Sequence, residues 1–543
     1  MGQPPPIDKG LASGLVSLRR LAYNSLRCYC RCLCQVLLAK TSGEIGDKVS
    51  EVTTSLAILI TFLALIAFLG LYGYRIGRKT VEDYFAASRT MGSFVTLFTY
   101  FATLCSAFTF LGCAGWGYSR GLAWYGPIGV GTALISINFY VFGYRVWLLG
   151  KKFGYVSPPE LIKDRFGKLL QTIYAVVMVI FVLPYLAVQA MGAGYVLEEL
   201  SQGVIPYVAG AGLITLFMIV LILGGMRSVA WTDTFMGIMM LGCLAIAFGL
   251  VVKNVGGLPS VVERLAAESP EHLSRPGVGE FFSPGVWFGF ILLWVVADPL
   301  MPHLWMRMYI PKNVNVIKRM MILFPLVCLV VFFFPVWIGV MGYTVIPGLE
   351  GPAVDRILPL LMVKFAPAWL VAIILSGALA ALISTADSQV LALSSILTRD
   401  LYVPFINKKA TTQHQVTIGR IMMIILCVFG FIIALRPVST LVGITASAFT
   451  GIGVLYPATI AALYWKRATK WGAISSILTG EAVAVLLIYG ILPKGFSLGS
   501  LPILPSLIVA TATLIVVSYL TSPPPEKRIA KFFDLFDSVF KSS

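Results

Sequence analysis

Ser384, Thr385, Asp387, Ser388 and Gln389 place five polar side chains within six consecutive positions of an otherwise apolar run, Leu370 to Tyr402. The small residues Gly377, Ala378, Ala380 and Ala381 precede them, and such residues let neighbouring helices approach closely. An ionisable group at bilayer depth costs about 2.5–3.5 kcal/mol on insertion scales, so a lipid-facing helix has no use for Asp387. Two readings fit the cluster. It offers hydroxyl oxygens to something polar, or it makes interhelical hydrogen bonds with no ligand. Both require a helix buried in a bundle.

The elements that position this helix are membrane spans. The 543-residue chain is 58% hydrophobic and 12% charged, against about 25% charged for a typical soluble domain. Apolar runs predict thirteen spans, at 52–74, 91–115, 124–149, 169–197, 205–225, 231–253, 285–305, 317–343, 367–397, 416–435, 439–464, 471–490 and 500–520. The predicted fold class is an all-α integral membrane protein. Residues 1–50 form a basic extension that includes a candidate interfacial helix, 51–521 the transmembrane domain, and 522–543 a tail.

The formal charge is +17, from 41 basic and 24 acidic residues. Most of the basic groups fall in short loops, at 75–90, 145–168, 306–319, 399–415 and 465–470, and in the tail; those of residues 1–50 run against the pattern, which rests on the repeated loops. The 254–284 loop carries Glu263, Glu268, Glu271 and Glu280 and no lysine. This alternation reads as topology and lipid contact. It places the basic loops and the C-terminus in the cytoplasm and excludes a folded nucleic-acid-binding module. Of nine cysteines, Cys28, Cys30, Cys32 and Cys34 alternate, without the paired spacing of a zinc site.

Two spans are poor cylinders. Phe94 to Trp116 contains Thr96, Thr99, Thr103, Ser106 and Thr109, and the span at 285–305 ends in Asp298, Pro299, Pro302 and His303. Proline removes a donor and disrupts the preceding turn, and paired interruptions mark discontinuous helices around a midplane site in many transporters. A proline kink supported by neighbouring helices is the alternative. No phosphate-binding loop, zinc-protease or serine-hydrolase motif is present, so neither ATP drive nor an enzyme activity is expected. Uphill movement of a solute would need an ion gradient. Hydroxyls, with carbonyls freed by a broken helix, suit sodium without fixed negative charge.

Five motifs occur in order along residues 52–520: VEDYFAASRTMG at 81–92, GYVSPPELIKDRFG at 154–167, GG-x-R-x-V-x-W-T-D from Gly224 to Asp233, P-H-x-x-x-R from Pro302 to Arg307, and AALISTADSQVLALSSILTRDLY at 380–402. On these the chain resembles the sodium:solute symporter family of proline and pantothenate permeases and sodium/sugar cotransporters, nearer the pantothenate and monocarboxylate branches. The resemblance implies a ten-helix core of two inverted five-helix halves, about 91–253 and 285–464. It implies sodium held by the backbone oxygens of Ala102, Cys105 and Ala381 and the hydroxyls of Ser384 and Thr385. Ala381, Ser384 and Thr385 share one helical face. In some relatives a second ion is held at positions matching Asp233, Asp387 and Ser388, where Asp387 here replaces a hydroxyl.

The same resemblance puts solute between the unwound helix middles, with Tyr100, Thr103, Phe108, Trp294 and Asp298 as candidate lining. Leu104 stands where the proline permease has an aspartate, which argues against a proline-like site. An ammonium group would suit Asp298, whereas the branch resemblance favours a small acid. The implied function is sodium-coupled uptake of a small organic acid or amino acid by alternating access, with no cofactor beyond the coupling ion. The implied setting is a monomer in lipid at the inner (plasma) membrane. The alternative is a membrane sensor that retains the permease fold.

Overall fold

The computed structural model describes residues 43–76, 89–221 and 225–540. The candidate interfacial helix and alternating cysteines of the extension, residues 81–88 of the first motif and Gly224 lie outside them. Apart from one isolated bridge between Met91 and Pro311, the described residues are helical or irregular.

In chain order the elements used below are α1 (Gly43–Ile76), α2 (Ser93–Leu104), α3 (Phe108–Arg120), α4 (Leu122–Phe153), α5 (Pro158–Phe166), α6 (Lys168–Leu200), α7 (Tyr207–Leu221), α8 (Gly225–Asn254), α9 (Pro284–Ala297), α10 (Pro302–Met308), α11 (Val314–Tyr343), α12 (Ala368–Phe405), α13 (Thr412–Ala434), α14 (Leu441–Tyr464), α15 (Lys470–Ile488), α16 (Ile503–Leu520) and α17 (Glu526–Phe540).

Among the described residues, ten helices are long and apolar enough to cross a bilayer, or eleven if the bent pair α2–α3 is one span. The spans expected at 205–225 and 285–305 are shorter apolar helices. The count of thirteen is therefore not reached by length and composition. At 285–305 the break at Asp298–Met301 leaves pieces that each fall below bilayer length, and at 205–225 the described helix ends at Leu221.

Helix α12, which carries the polar cluster, is the central post. In its most apolar stretch 78% of residues are buried, against 22% for α1 at the edge. It is packed by α1, α2, α6, α8, α10 and α13. Gly377 makes one contact possible, since a Cβ there would lie 2.5 Å from Cys243 Cβ on α8. The basic loops meet at one end of the bundle. Arg165 donates to the carbonyl of Trp465 at 3.0 Å, Arg399 pairs with Glu160 at 2.7 Å, and Arg89 reaches the carbonyls of Tyr155 and Tyr309. The other end is tied by Arg356 with Glu198 at 2.9 Å and by Tyr118 donating to the carbonyl of Ile346. His272, also at that end, is 2% exposed and lies 3.1 Å from the carbonyl of Tyr118.

Helices α3 and α11 cross backbone to backbone. A Cβ on Gly339 would lie 1.9 Å from the carbonyl oxygen of Ala114, and one on Gly117 would lie 2.3 Å from that of Val336. Neither oxygen can yield, because both belong to helix backbone. Gly339→Ala is expected to cost at least about 1–3 kcal/mol, the usual range for overpacking, read as a lowered melting temperature of the purified protein. An unchanged melting temperature would show that the crossing opens freely.

Candidate functional site

The site begins with a failure of the helical ladder. α2 and α3 meet at 64°, with Cys105 extended at φ −74° and ψ 124°. In a continuous helix the amides of 106, 107 and 108 would bond the carbonyls of 102, 103 and 104. Here Ser106 N–H donates to Thr109 Oγ1 (3.2 Å), Ala107 N–H to Gln189 Oε1 (3.1 Å) and Phe108 N–H to Ser106 Oγ (3.2 Å). The carbonyls of Ala102, Thr103 and Leu104 thereby lose their usual amide partners, and Thr109 N–H, the donor that Cys105 would receive, goes to the Ser106 carbonyl. Thr385 answers from α12, its hydroxyl donating to the carbonyls of Cys105 at 2.7 Å and Thr103 at 3.1 Å. Ser384 Oγ, one residue earlier, donates to Asp233 Oδ1 at 2.7 Å. Both hydroxyl oxygens keep lone pairs for a cation.

Asp233 on α8 centres a second cluster. Its Oδ2 accepts from Thr99 at 2.7 Å, from Thr103 at 3.2 Å and from Arg307 Nη2 at 2.9 Å, with both charged side chains fully buried. The same Arg307 nitrogen donates to Ser388 Oγ, and Arg307 Nη1 donates to the carbonyl of His303 at 3.0 Å. Asp387 is 1% exposed, and neither of its oxygens has a hydrogen-bond partner among the described residues.

The sodium:solute symporter family model matches residues 84–480. The chain belongs to the sodium:solute symporter family. It is therefore a multi-pass membrane transport protein of a sodium-coupled symport family. It is 28% identical over 486 residues to the sodium/pantothenate symporter of Escherichia coli (strain K12), covering 87% of this chain and 97% of that one. It is 26% identical over 501 residues to the sodium/proline symporter of the same strain, covering 88% and 96%. The fold is similar to a substrate-bound, outward-open Na+-coupled sialic acid symporter, with a TM-score of 0.72 at 18% identity over 87% of this chain and 98% of that one. A nucleobase-cation-symport-1 family transporter in a closed conformation follows, with a TM-score of 0.56 at 13% identity over 83% and 98%.

Against the residues expected for a member of this family, the structure brings Cys105 and Thr385 into contact and sets Ser384 beside them through Asp233. Ala102 lies in the last turn of α2 and Ala381 one turn before Thr385, both fully buried. Of the residues considered for a second ion, Asp233 and Ser388 converge on Arg307, while Asp387 is hydrogen-bonded to neither. The second interrupted span also breaks as expected. α9 gives way to a 3-10 turn at Asp298–Leu300, and Met301 is non-helical before α10. Between the two breaks Phe108 meets Trp294 at 5.3 Å between ring centroids, and Trp294 meets Phe449 at 5.3 Å. Tyr100 packs edge-on against Phe139 and Phe324, away from Trp294's ring neighbours. Asp298 is 2% exposed and makes no ion pair with any described residue.

Arg307, Gln189 and Tyr185 were not singled out from sequence. Arg307 stood only as the last letter of a motif, although a charge between apolar spans needs a partner. Gln189, an amide in the middle of an apolar helix, is the signal for a capped helix end. Tyr185 donates to Ser106 Oγ at 3.1 Å and is hidden among other aromatics.

The buried Arg307–Asp233 pair yields a double-mutant test. Asp233→Asn alone leaves a guanidinium uncompensated and is expected to cost about 3–5 kcal/mol. Adding Arg307→Gln should restore much of the loss, as coupled partners do. Additive losses in melting temperature would mean the two do not interact.

Proposed function

We propose that this chain is a sodium-coupled symporter that takes up a small organic acid or amino acid by alternating access. Family membership supports sodium coupling. The observation that carries the reading in this chain is the break at Cys105. There, carbonyls that have lost their amides face the hydroxyl of Thr385 on a buried helix, and Ser384 beside it donates to Asp233. In our reading the ion takes the backbone oxygens of Ala102, Cys105 and Ala381 and the two hydroxyls. All are neutral hard oxygens, which suit a small monovalent cation. Binding replaces the Thr385 bond that now bridges the broken helix to α12, so ion occupancy sets the angle between them.

The second cation position is, in this reading, served by Arg307. Its guanidinium already neutralises Asp233 between Thr99 and Ser388, so one sodium accompanies each solute. The membrane potential then contributes about 2.3 kcal/mol per 100 mV for that charge. Solute lies between the broken middles, against Phe108 and Trp294, with Thr103 and Tyr100 towards the Arg307 side and Asp298 at the second break. The finer architecture belongs to the same proposal: thirteen spans, a core of two inverted five-helix halves, basic loops and C-terminus in the cytoplasm, and residence in the inner (plasma) membrane. The relatives named above are symporters for pantothenate and for proline. These two cargoes bracket the solute class, and Leu104 weighs against proline.

Two experiments test the proposal. In proteoliposomes, Thr385→Val keeps the shape and removes the oxygen, and should raise the sodium concentration for half-maximal uptake about 10- to 100-fold, the range of a lost charge-assisted contact. Unchanged sodium dependence would remove Thr385 from the ion site. Competition of labelled uptake by pantothenate, pyruvate, lactate, alanine and proline would name the solute class. Asp298→Asn should reorder that panel towards anions, because it removes a repulsion. An identical order in parent and variant would make Asp298 structural.

A further inference from the structure

At the end of the bundle where the basic loops gather, a cleft of about 470 Å³ opens between α5, the start of α15, the chain leaving α16 and the start of α17. Its charged lining is entirely basic: Arg165, Lys470 and Arg528. Arg165 is 1% exposed. Its Nη2 is spent on the carbonyls of Trp465 and Lys466, while its Nε and Nη1 have no partner among the described residues. None of the three cations forms an ion pair with a described residue, and nearby acids are taken elsewhere: Asp164 by Lys531 and Asp537 by Lys466. Burial, and then the charge of Arg528, push the Arg165 guanidinium down to about 10. Three cations held together without a carboxylate call for an anion.

The surroundings select among anions. Trp471 and Tyr519 are 54% and 65% exposed at the rim, and Leu520 is 79% exposed, the aromatic and apolar edge that sits at a bilayer interface. Directly alongside, an apolar groove of about 630 Å³ runs between α9, α14 and α16, lined by Val296, Ile460, Leu514 and Ile515 and ending at Trp465 and Tyr519. Tyr519 of the groove and Leu520 of the cleft are chain neighbours, and Arg165 binds the backbone of Trp465. A charged cleft beside an apolar groove matches a phosphate headgroup attached to acyl chains. No acid lines the cleft to receive a choline or ethanolamine ammonium.

We infer that this cleft binds an anionic phospholipid, its phosphate among Arg165, Lys470 and Arg528 and an acyl chain along the groove, which pins α17 and α5 to the ends of α15 and α16. The inference is independent of what the protein transports. Both α5 and α17 lie at the end through which solute would leave if the basic loops are cytoplasmic, so lipid there would brace that face.

The test uses the full chain in detergent with added phosphatidylglycerol, phosphatidylcholine or inorganic phosphate, read by native mass spectrometry and melting temperature. The parent is expected to bind phosphatidylglycerol about tenfold more tightly than phosphatidylcholine. Lys470→Gln with Arg528→Gln, which spares buried Arg165, should abolish that preference. Lys151→Gln with Lys152→Gln, an equal charge change outside the cleft, should keep it. Equal binding of the two lipids by the parent would overturn the inference, as would a preference that survives in the cleft variant. Inorganic phosphate matching phosphatidylglycerol at equal concentration would also overturn it, by assigning the cleft to a free anion. Should the cleft variant fail to fold, the parent's lipid ratio and the phosphate arm still decide.

Discussion

The structure depends on one interruption in the helical hydrogen-bond ladder, at residues 104–108. In lipid an unpaired backbone group costs several kcal/mol, so a helix can break only where other groups take over its donors and acceptors. Here the takeover is complete enough to name. Gln189, Thr109 and Ser106 accept the displaced amides, and Thr385 supplies a hydroxyl to two of the freed carbonyls. Apart from Ser106, which lies in the break itself, these groups come from α6, α3 and α12, so the break holds three elements together.

The same logic explains why α12 must be the most enclosed helix. Its hydroxyls are useful only if they face the break and Asp233, and its small residues allow α8 to approach closely enough for Ser384 to reach Asp233. Arg307 completes the arrangement from the second interrupted span, through its bond to Asp233. The two broken helices are thereby coupled through one buried ion pair. Moving α10 relative to α2 would disturb Asp233, and with it Ser384 at the edge of the proposed ion site. This is a concrete route by which ion occupancy and solute access could bias one another.

Polar groups left without partners are as informative as those paired. Asp387, Tyr100 and Trp294 each bury a polar atom with no bond among the described residues. Buried polar groups are ordinarily satisfied, so open polar atoms beside the two breaks suit a site for polar cargo. Arg165 at the basic end raises the same question and has a different answer, because its surroundings are interfacial.

Much of this was legible in the sequence. Apolar runs too long for a soluble core determine a helical membrane bundle, since only a helix or a closed barrel pairs its own backbone in lipid. Prolines and hydroxyls mark both interruptions, and the oxygen-rich face of α12 follows from spacing alone. The tertiary structure decided which partners those oxygens meet. That Ser384 serves Asp233, that Arg307 occupies the place between Asp233 and Ser388, and that Asp387 is joined to neither are matters of distances between residues 74 to 154 positions apart. Helical periodicity specifies which side chains share a face, but the rotation of one helix against another is set by packing across the whole bundle.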